Sequence, residues 1–209
     1  MRTLQHDVTS QNRHQDAPPG WDYNPASWPQ RLPIIVLALV GYAIAQYLAL
    51  YQWRAVDTVW EPFFGDGSVT ILNSKVSHLF PRPFTDGFLG ALGYLADAVT
   101  GTVGGRARWR TMPWIVILFG LLVGPLGAVS ILLVILQPVM FDAWCTLCLA
   151  TAAISVLMIG PAMDEFLASL QYLRRVRDTG GSTWRAFWGL SSTKEPQETP
   201  HETPQETLT

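Results

Sequence analysis

Three long apolar runs without a charged residue organise this chain of 209 residues. They cover residues 32–53, 111–141 and 143–163, and each reaches the ~20 residues that a helix needs to cross a bilayer core. A weaker fourth run, 87–105, contains Asp97 and several glycines, which are common in packed transmembrane helices. The pattern therefore predicts an all-α membrane protein, a bundle of four transmembrane helices.

The polar segments around these runs predict the remaining organisation. Residues 1–31 are expected to form a flexible cytoplasmic tail, 32–170 the membrane domain, and 171–190 a basic and aromatic segment at the membrane interface. Residues 191–209 repeat Glu-Thr-Pro and are expected to be disordered. The tail lacks the short apolar core and cleavage site of a signal peptide, so the first helix is expected to be an uncleaved signal.

The connection between the first two helices is unusually aromatic. It contains Trp60, Phe63 and Phe64, followed by a Gly-Asp-Gly turn and the apolar residues 69–72. This sequence predicts a short lid-like helix across the mouth of the bundle. The alternative is an amphipathic segment at the membrane interface, which the periodicity alone favours.

Composition and charge narrow the function classes. Hydrophobic residues make up 49% of the chain and charged residues 14%, well below the ~25% of soluble domains. The net charge of −2 gives no reason to expect a nucleic-acid partner. Basic residues concentrate in 1–31, 106–110 and 174–194, whereas 54–86 holds more acidic than basic residues. The positive-inside rule therefore places both termini in the cytoplasm and 54–86 outside.

The two cysteines of the chain, Cys145 and Cys148, open the last apolar run. The helix is expected to begin at residue 143 or 144, which would place Cys145 in its first turn, where a thiolate is favoured. Residues at i and i+3 share a helix face, near enough for a disulfide after local adjustment. Spacing alone leaves redox chemistry and plain apolar packing open. It disfavours a metal site, since the four histidines show no ligand spacing.

Residues 33–170 resemble the vitamin K epoxide reductase family, in its bacterial form. Besides the CxxC at the mouth of the fourth helix, residues 71–74 are similar to the family's loop and 89–95 to the start of its second helix. The resemblance implies a quinone, ubiquinone or menaquinone, that exchanges two electrons and two protons with the dithiol. It also implies a thioredoxin-like thiol protein as partner on the outer side of the bacterial cytoplasmic membrane, where the CxxC would lie.

The resemblance suggests roles for individual residues. Cys145, as the more exposed thiol, is expected to exchange with the partner, and the deeper Cys148 to face the quinone. Ser74 would donate a hydrogen bond to a quinone oxygen. Asp86 falls near a polar quinone contact of the family, but it fits a solvated helix start equally well. Four further residues are expected either to shape an apolar pocket or simply to pack: Phe63, Phe64, Trp144 and Leu147.

The chain departs from the family in its outer loop. Family members carry a second cysteine pair there, and its later cysteine would fall at about Ser68, but residues 54–86 contain no cysteine. An internal disulfide relay is therefore excluded. Ala152 also stands where some animal members have an aromatic residue.

Three accounts of function stay open. The first is a quinone-linked thiol oxidoreductase that supports disulfide formation in exported proteins by direct exchange at Cys145. The second is another redox duty of the dithiol with a quinone, and the third a non-catalytic quinone-binding or structural membrane module. A transporter is disfavoured because no internal repeat is evident. Asp97 is interpreted as a helix-end residue near the cytoplasmic surface rather than as a proton carrier.

Overall fold

The computed structural model describes residues 17–77 and 83–190 of the chain. These residues form helices and no strand, so the all-α prediction is confirmed for them. The helices in chain order are α1 (Trp28–Gln52), α2 (Gly67–Leu72), α3 (Asp86–Thr102), α4 (Arg108–Thr111), α5 (Pro113–Phe141), α6 (Thr146–Asp178) and α7 (Thr183–Phe187).

Three helices are long and apolar enough to cross a membrane. They are α1, α5 and α6, with 25, 29 and 33 residues. Each also exposes large apolar side chains such as Leu39, Leu121 and Leu157, as lipid-facing helices do. With 17 residues, α3 spans only about 25 Å against a core of about 30 Å. The chain is thus a membrane protein with three candidate spans, and the fourth span stays a prediction.

Hydrogen bonds at both ends of α3 fix its direction relative to α1. The Gly87 N–H donates to Gln52 Oε1 over 3.3 Å, and at the other end Arg31 Nε donates to the Gly101 carbonyl over 3.0 Å. The two helices are therefore antiparallel. We call the end of the bundle where α6 begins the CxxC end, and the end with Arg31 and Gly101 the opposite end.

Small residues allow the helices to approach closely, as is common in membrane bundles. A Cβ at Gly41 of α1 would lie 2.6 Å from the Tyr94 ring of α3, and one at Gly127 of α5 would lie 2.5 Å from Ile159 of α6. The buried core between the helices consists of Ile34, Ala38, Ala45, Ala91, Tyr94, Ala98, Phe119, Val123, Ile154, Met158 and Ala162. Its alanines leave room for the larger rings.

Residues 17–27 lie against α6, which corrects the expectation of a flexible tail for this portion. Trp21 Nε1 donates to Gln171 over 3.0 Å, and the Tyr23 hydroxyl donates to Asp164 over 2.6 Å. This hydrogen bond favours the protonated phenol and raises the pKa of Tyr23 to about 12. Sequence patterns give no signal for these pairs because their partners lie more than 140 residues away.

The other predicted boundaries stay predictions, and two of them can be compared with the helices. The proposed limit at residue 170 falls inside α6, which continues to Asp178, and the interfacial segment contains the short helix α7. Helix α2 occupies the segment predicted to form a lid. The disorder predicted for 191–209 and the tail residues 1–16 lie outside the described residues.

Candidate functional site

Cys145 and Cys148 form a disulfide at the start of α6, with their Cα atoms 5.2 Å apart. Cys145 is the N-cap of the helix, which begins at Thr146 rather than at 143 or 144. Its backbone is extended, and its Sγ accepts a hydrogen bond of 3.2 Å from the Cys148 N–H. The sulfur thus occupies the position of an N-cap acceptor, where the unpaired N–H groups and the helix dipole would stabilise a thiolate after reduction.

The backbone of Cys145 is held by a residue that sequence reasoning missed. The Cys145 N–H donates to Gln137 Oε1 over 3.0 Å, and Gln137 is buried near the end of α5. The sequence did contain a signal: Gln137 carries the side-chain amide of an otherwise apolar run, and a buried amide needs a hydrogen-bond partner.

The exposure of the two cysteine residues is the reverse of the prediction. Cys145 is 0% exposed, whereas Cys148 is half-buried. Cys148 shares its helix face with Ala152 and Ser155, both buried in the bundle. The start of α2 and the loop before it contact the two neighbours of Cys145 at this helix end, Trp144 and Thr146.

The cover is close at Gly67 and Ser68. No side chain fits at Gly67, because a Cβ there would overlap the backbone carbonyl of Trp144. Ser68 is fully buried. The start of α2 therefore lies directly on the residue before Cys145.

Replacing Gly67 with alanine is expected to destabilise the protein by about 1–3 kcal/mol, because the new methyl group must displace α2 from Trp144. Thermal unfolding in detergent measures this. Gly90→Ala is the matched control, since a Cβ there would meet Ala45 at an ordinary 3.8 Å. Equal shifts of the melting temperature in both variants would contradict the close contact.

A carboxylate from the outer loop joins this cover to the CxxC helix. Glu61 Oε2 accepts the Thr146 N–H over 2.9 Å, and Glu61 also accepts hydrogen bonds from the Thr146 and Ser68 hydroxyls. The N–H groups of Phe63 and Phe64 donate to Glu61 Oε1, both over 3.3 Å. We call the set Glu61, Ser68 and Thr146 the Glu61 bridge. The first turn of α6 contains no acidic residue, so Glu61 supplies the anion that a helix N-terminus favours.

Burial would raise the pKa of the Glu61 carboxyl, but the hydrogen bonds from Ser68, Thr146 and Phe63 outweigh it and lower the pKa to about 2. Because the folded pKa lies below the ordinary 4.5, the contribution of Glu61 to stability is complete above that pH. It is lost as the pH falls toward 2. At neutral pH the bridge is therefore ionised and intact.

Two of the four predicted pocket residues meet beside the CxxC. The rings of Phe64 and Trp144 lie 6.4 Å apart, and Leu147 is half-buried on the first turn of α6. Phe63 contacts Phe64 at 6.4 Å but is 75% exposed. An apolar wall thus flanks the disulfide, and Phe63 lies at its outer edge.

A family model matches residues 32–162, more than half of the chain, and is described as the vitamin K epoxide reductase family. The chain belongs to the vitamin K epoxide reductase family. The match begins inside α1, includes α2 to α5 and ends halfway along α6. No curated protein and no solved structure matches the chain. Membership indicates a membrane oxidoreductase activity linked to quinones in general.

The family-based residues Ser74 and Asp86 lie together at the CxxC end of α1 and α3. Asp86 is the first residue of α3, and its carboxylate accepts hydrogen bonds from Gln52 and, over 2.8 Å, from Ser77. Ser74 Oγ accepts the Ser77 N–H over 3.3 Å. These contacts give Asp86 a structural role that joins two helices to the turn after α2, and quinone contact at both residues stays a prediction.

In this member of the reductase family, a row of polar groups lies along α6 beyond Cys148, inside the helix bundle. Thr151 Oγ1 donates to the Cys148 carbonyl over 2.9 Å, and the Tyr94 hydroxyl donates to the Thr151 carbonyl over 2.6 Å. Ser155 Oγ lies 2.6 Å from the Tyr94 hydroxyl and accepts from Ser130 over 3.2 Å. Sequence reasoning missed the row because serine, threonine and tyrosine are unremarkable in an apolar run.

A second buried polar cluster lies at the opposite end. Arg108 forms a two-pronged ion pair with Glu165, and their side chains are 0% and 1% exposed. Arg31 and Arg108 both donate to the carbonyls of Gly101 and Val103, at the end of α3. Two of the arginines counted as cytoplasmic charges are therefore internal structural groups.

Asp97 is not a helix-end residue at the surface, as had been expected. It is almost fully buried, and neither carboxylate oxygen has a hydrogen-bond partner within the described ranges. The residue lies one turn beyond Tyr94 along α3, on the side that faces the core.

Proposed function

We propose that this protein is a quinone-linked thiol–disulfide oxidoreductase that supports disulfide formation in exported proteins. The observation that carries the proposal is the disulfide at the N-terminus of α6, with Cys148 half-buried on the bundle-facing side. A disulfide in this position can accept electrons from thiols at the membrane surface and pass them to a lipid-soluble acceptor.

Each sulfur would have its own task. A thiolate of a partner dithiol attacks Cys145 Sγ, the bond between Cys145 and Cys148 breaks, and Cys148 leaves as a thiolate. The second partner thiol then attacks the mixed disulfide, so that the partner leaves oxidised and both cysteines are reduced. The Cys145 thiolate is stabilised by the Cys148 N–H and by the helix dipole.

The residues around Cys148 fit a quinone. Trp144, Phe64 and Leu147 offer apolar surface, and the hydrogen-bonded Tyr94 and Ser155 hydroxyls add a polar region deeper in the bundle. A bound quinone would supply the two-electron oxidant and take up two protons as the dithiol returns to the disulfide. Ser74 and Asp86 are proposed as further polar contacts at the outer edge of this site.

The proposed orientation places the CxxC end outside the cytoplasmic membrane of a bacterium. It no longer rests on Arg31 and Arg108, whose charges are internal. The exposed Arg106, Arg174 and Arg177 at the opposite end support it. A thioredoxin-like protein on the outer side would then have the shortest path to the disulfide, and α2 would be a lid above it.

The direct test is quinone reduction by the purified protein in lipid nanodiscs. A reduced dithiol peptide and a short-chain ubiquinone or menaquinone are added in separate assays, and quinol formation is followed by absorbance. The proposal expects quinol and oxidised peptide in equal amounts with at least one quinone. Rates equal to the protein-free rate with both quinones would reject it.

The second candidate is a quinone-binding membrane module without turnover. It is favoured by the complete burial of Cys145, which blocks a partner in the described conformation. A preparation that binds quinone, keeps the disulfide and transfers no electrons from any thiol would support this candidate.

A further inference from the structure

We propose that Glu61 is a positioning residue that controls access to Cys145: its bridge keeps α2 closed over the sulfur, and the bridge must open before a partner thiol can attack. The inference rests on the proposed exchange at Cys145. It gives a task to a loop, residues 54–86, that contains no cysteine to link it to the CxxC.

The Glu61 bridge connects the covering helix α2 to the start of α6 by hydrogen bonds to a charged group rather than by a covalent bond. Thr146 follows Cys145 directly and gives Glu61 two hydrogen bonds, while Ser68 binds the same carboxylate from the covering helix. Hydrogen bonds to an ionised group each contribute more than those between neutral groups. No other acidic residue of 54–77 reaches α6 through a described ion pair or hydrogen bond, so Glu61 holds the bridge in this part of the chain.

Closure separates the two sides of the disulfide. With the bridge formed, Cys145 is fully buried, whereas Cys148 remains half-buried toward the bundle. The closed form therefore favours electron transfer from Cys148 into the bundle and blocks thiols from outside. The open form admits the partner thiolate to Cys145, in the balanced exchange described above.

Ser68 is the residue of the covering helix α2 that contacts Glu61. Ser68 is fully buried, and only one carboxylate separates it from the residue after Cys145. The bridge thus connects the loop and the CxxC helix without a sulfur atom. Because hydrogen bonds break without a redox partner, this connection can open in either redox state.

The test compares two alkylating reagents of different size. In a Cys148→Ser variant Cys145 is the sole thiol of the chain, so labelling reports on this sulfur alone. The protein is held in nanodiscs, and the rate with iodoacetamide is compared with the rate of a polyethylene-glycol maleimide. We expect Glu61→Ala to raise the rate with the bulky reagent at least about tenfold. The free energy of the lost hydrogen bonds to a charged group corresponds to more than this factor in the population of the open form.

The small reagent separates opening from a change of reactivity. Loss of the Glu61 charge also changes the intrinsic reactivity of the nearby Cys145 thiol, and such a change would alter the rates of both reagents alike. Opening speeds the bulky reagent selectively. Glu61→Gln keeps the shape but only one acceptor oxygen, and it is expected to give an intermediate rate. Asp66→Asn removes an exposed acid of the same loop and is expected to change neither rate.

Two results would overturn the proposal. One is an unchanged rate with the bulky reagent in both Glu61 variants, and the other is an equal rise with both reagents. The assay needs neither quinone nor partner, so its failure would leave the proposed electron transfer standing. Selective opening without any quinone reduction would retain the Glu61 bridge and reject only the proposed function.

Discussion

Replacing Glu165 with alanine is expected to lower the free energy of unfolding by about 3–5 kcal/mol, because the variant leaves the Arg108 guanidinium buried without its counter-charge. Arg31 aggravates the loss, since it donates to the same carbonyls of Gly101 and Val103. Denaturant titration of the purified protein in mixed micelles measures the change.

Two control variants make this result specific. Arg174→Ala removes an exposed arginine whose nearest contact to Asp178 is 4.0 Å, and a loss below about 1 kcal/mol is expected. Replacing Arg108 and Glu165 together with Met and Leu is expected to cost less than Glu165→Ala alone, since no uncompensated charge remains. If Glu165→Ala is as stable as Arg174→Ala, the Arg108–Glu165 ion pair does not hold the opposite end together.

Replacing either cysteine with alanine is expected to reduce thiol-dependent quinone reduction to the protein-free rate, because a single cysteine cannot form the disulfide that accepts two electrons from the partner thiols. The variants should differ in one respect. Cys148→Ala keeps the Cys145 thiol and should accumulate a mixed disulfide with an oxidised partner peptide, whereas Cys145→Ala should not. Non-reducing gels and the quinol assay measure both effects.

Folding of the cysteine variants must be checked separately. The disulfide closes a loop of only a few residues, so the free energy of unfolding is expected to fall by no more than about 2 kcal/mol. Quinone reduction that persists in a folded Cys148→Ala protein would contradict a disulfide-based exchange. A mixed disulfide that forms at Cys148 but not at Cys145 would reverse the roles of the two sulfurs.

The long helices and the position of the cysteines were predictable from the sequence, because apolar runs of sufficient length have few alternatives in a membrane. The start of α6 was predicted to within three residues, whereas the spacing of the cysteines allowed a disulfide but left plain apolar packing open. The fourth run was harder to assign because Asp97 and its glycines lower its hydropathy. The structure gives it as a helix of 17 residues.

The long-range contacts at the two ends of the bundle were not predictable in the same way. Glu61 and Thr146 are 85 residues apart, and Arg108 and Glu165 are 57 apart. A local pattern shows that a helix N-terminus favours an anion and that a buried charge needs a partner. It does not show which residue is that anion or that partner. The predicted exposure of Cys145 was wrong for this reason, because the prediction considered the helix end without the loop that packs against it.

The redox state of Cys145 and Cys148 in cells, with and without quinone depletion, tests the central claim most directly. Alkylation after acid quenching separates the reduced from the oxidised protein by a shift on gels. The proposed function predicts an oxidised pair in normal cells and a reduced pair when quinone synthesis is blocked. A pair that has the same redox state in both conditions would contradict quinone-linked exchange and favour the non-catalytic membrane module.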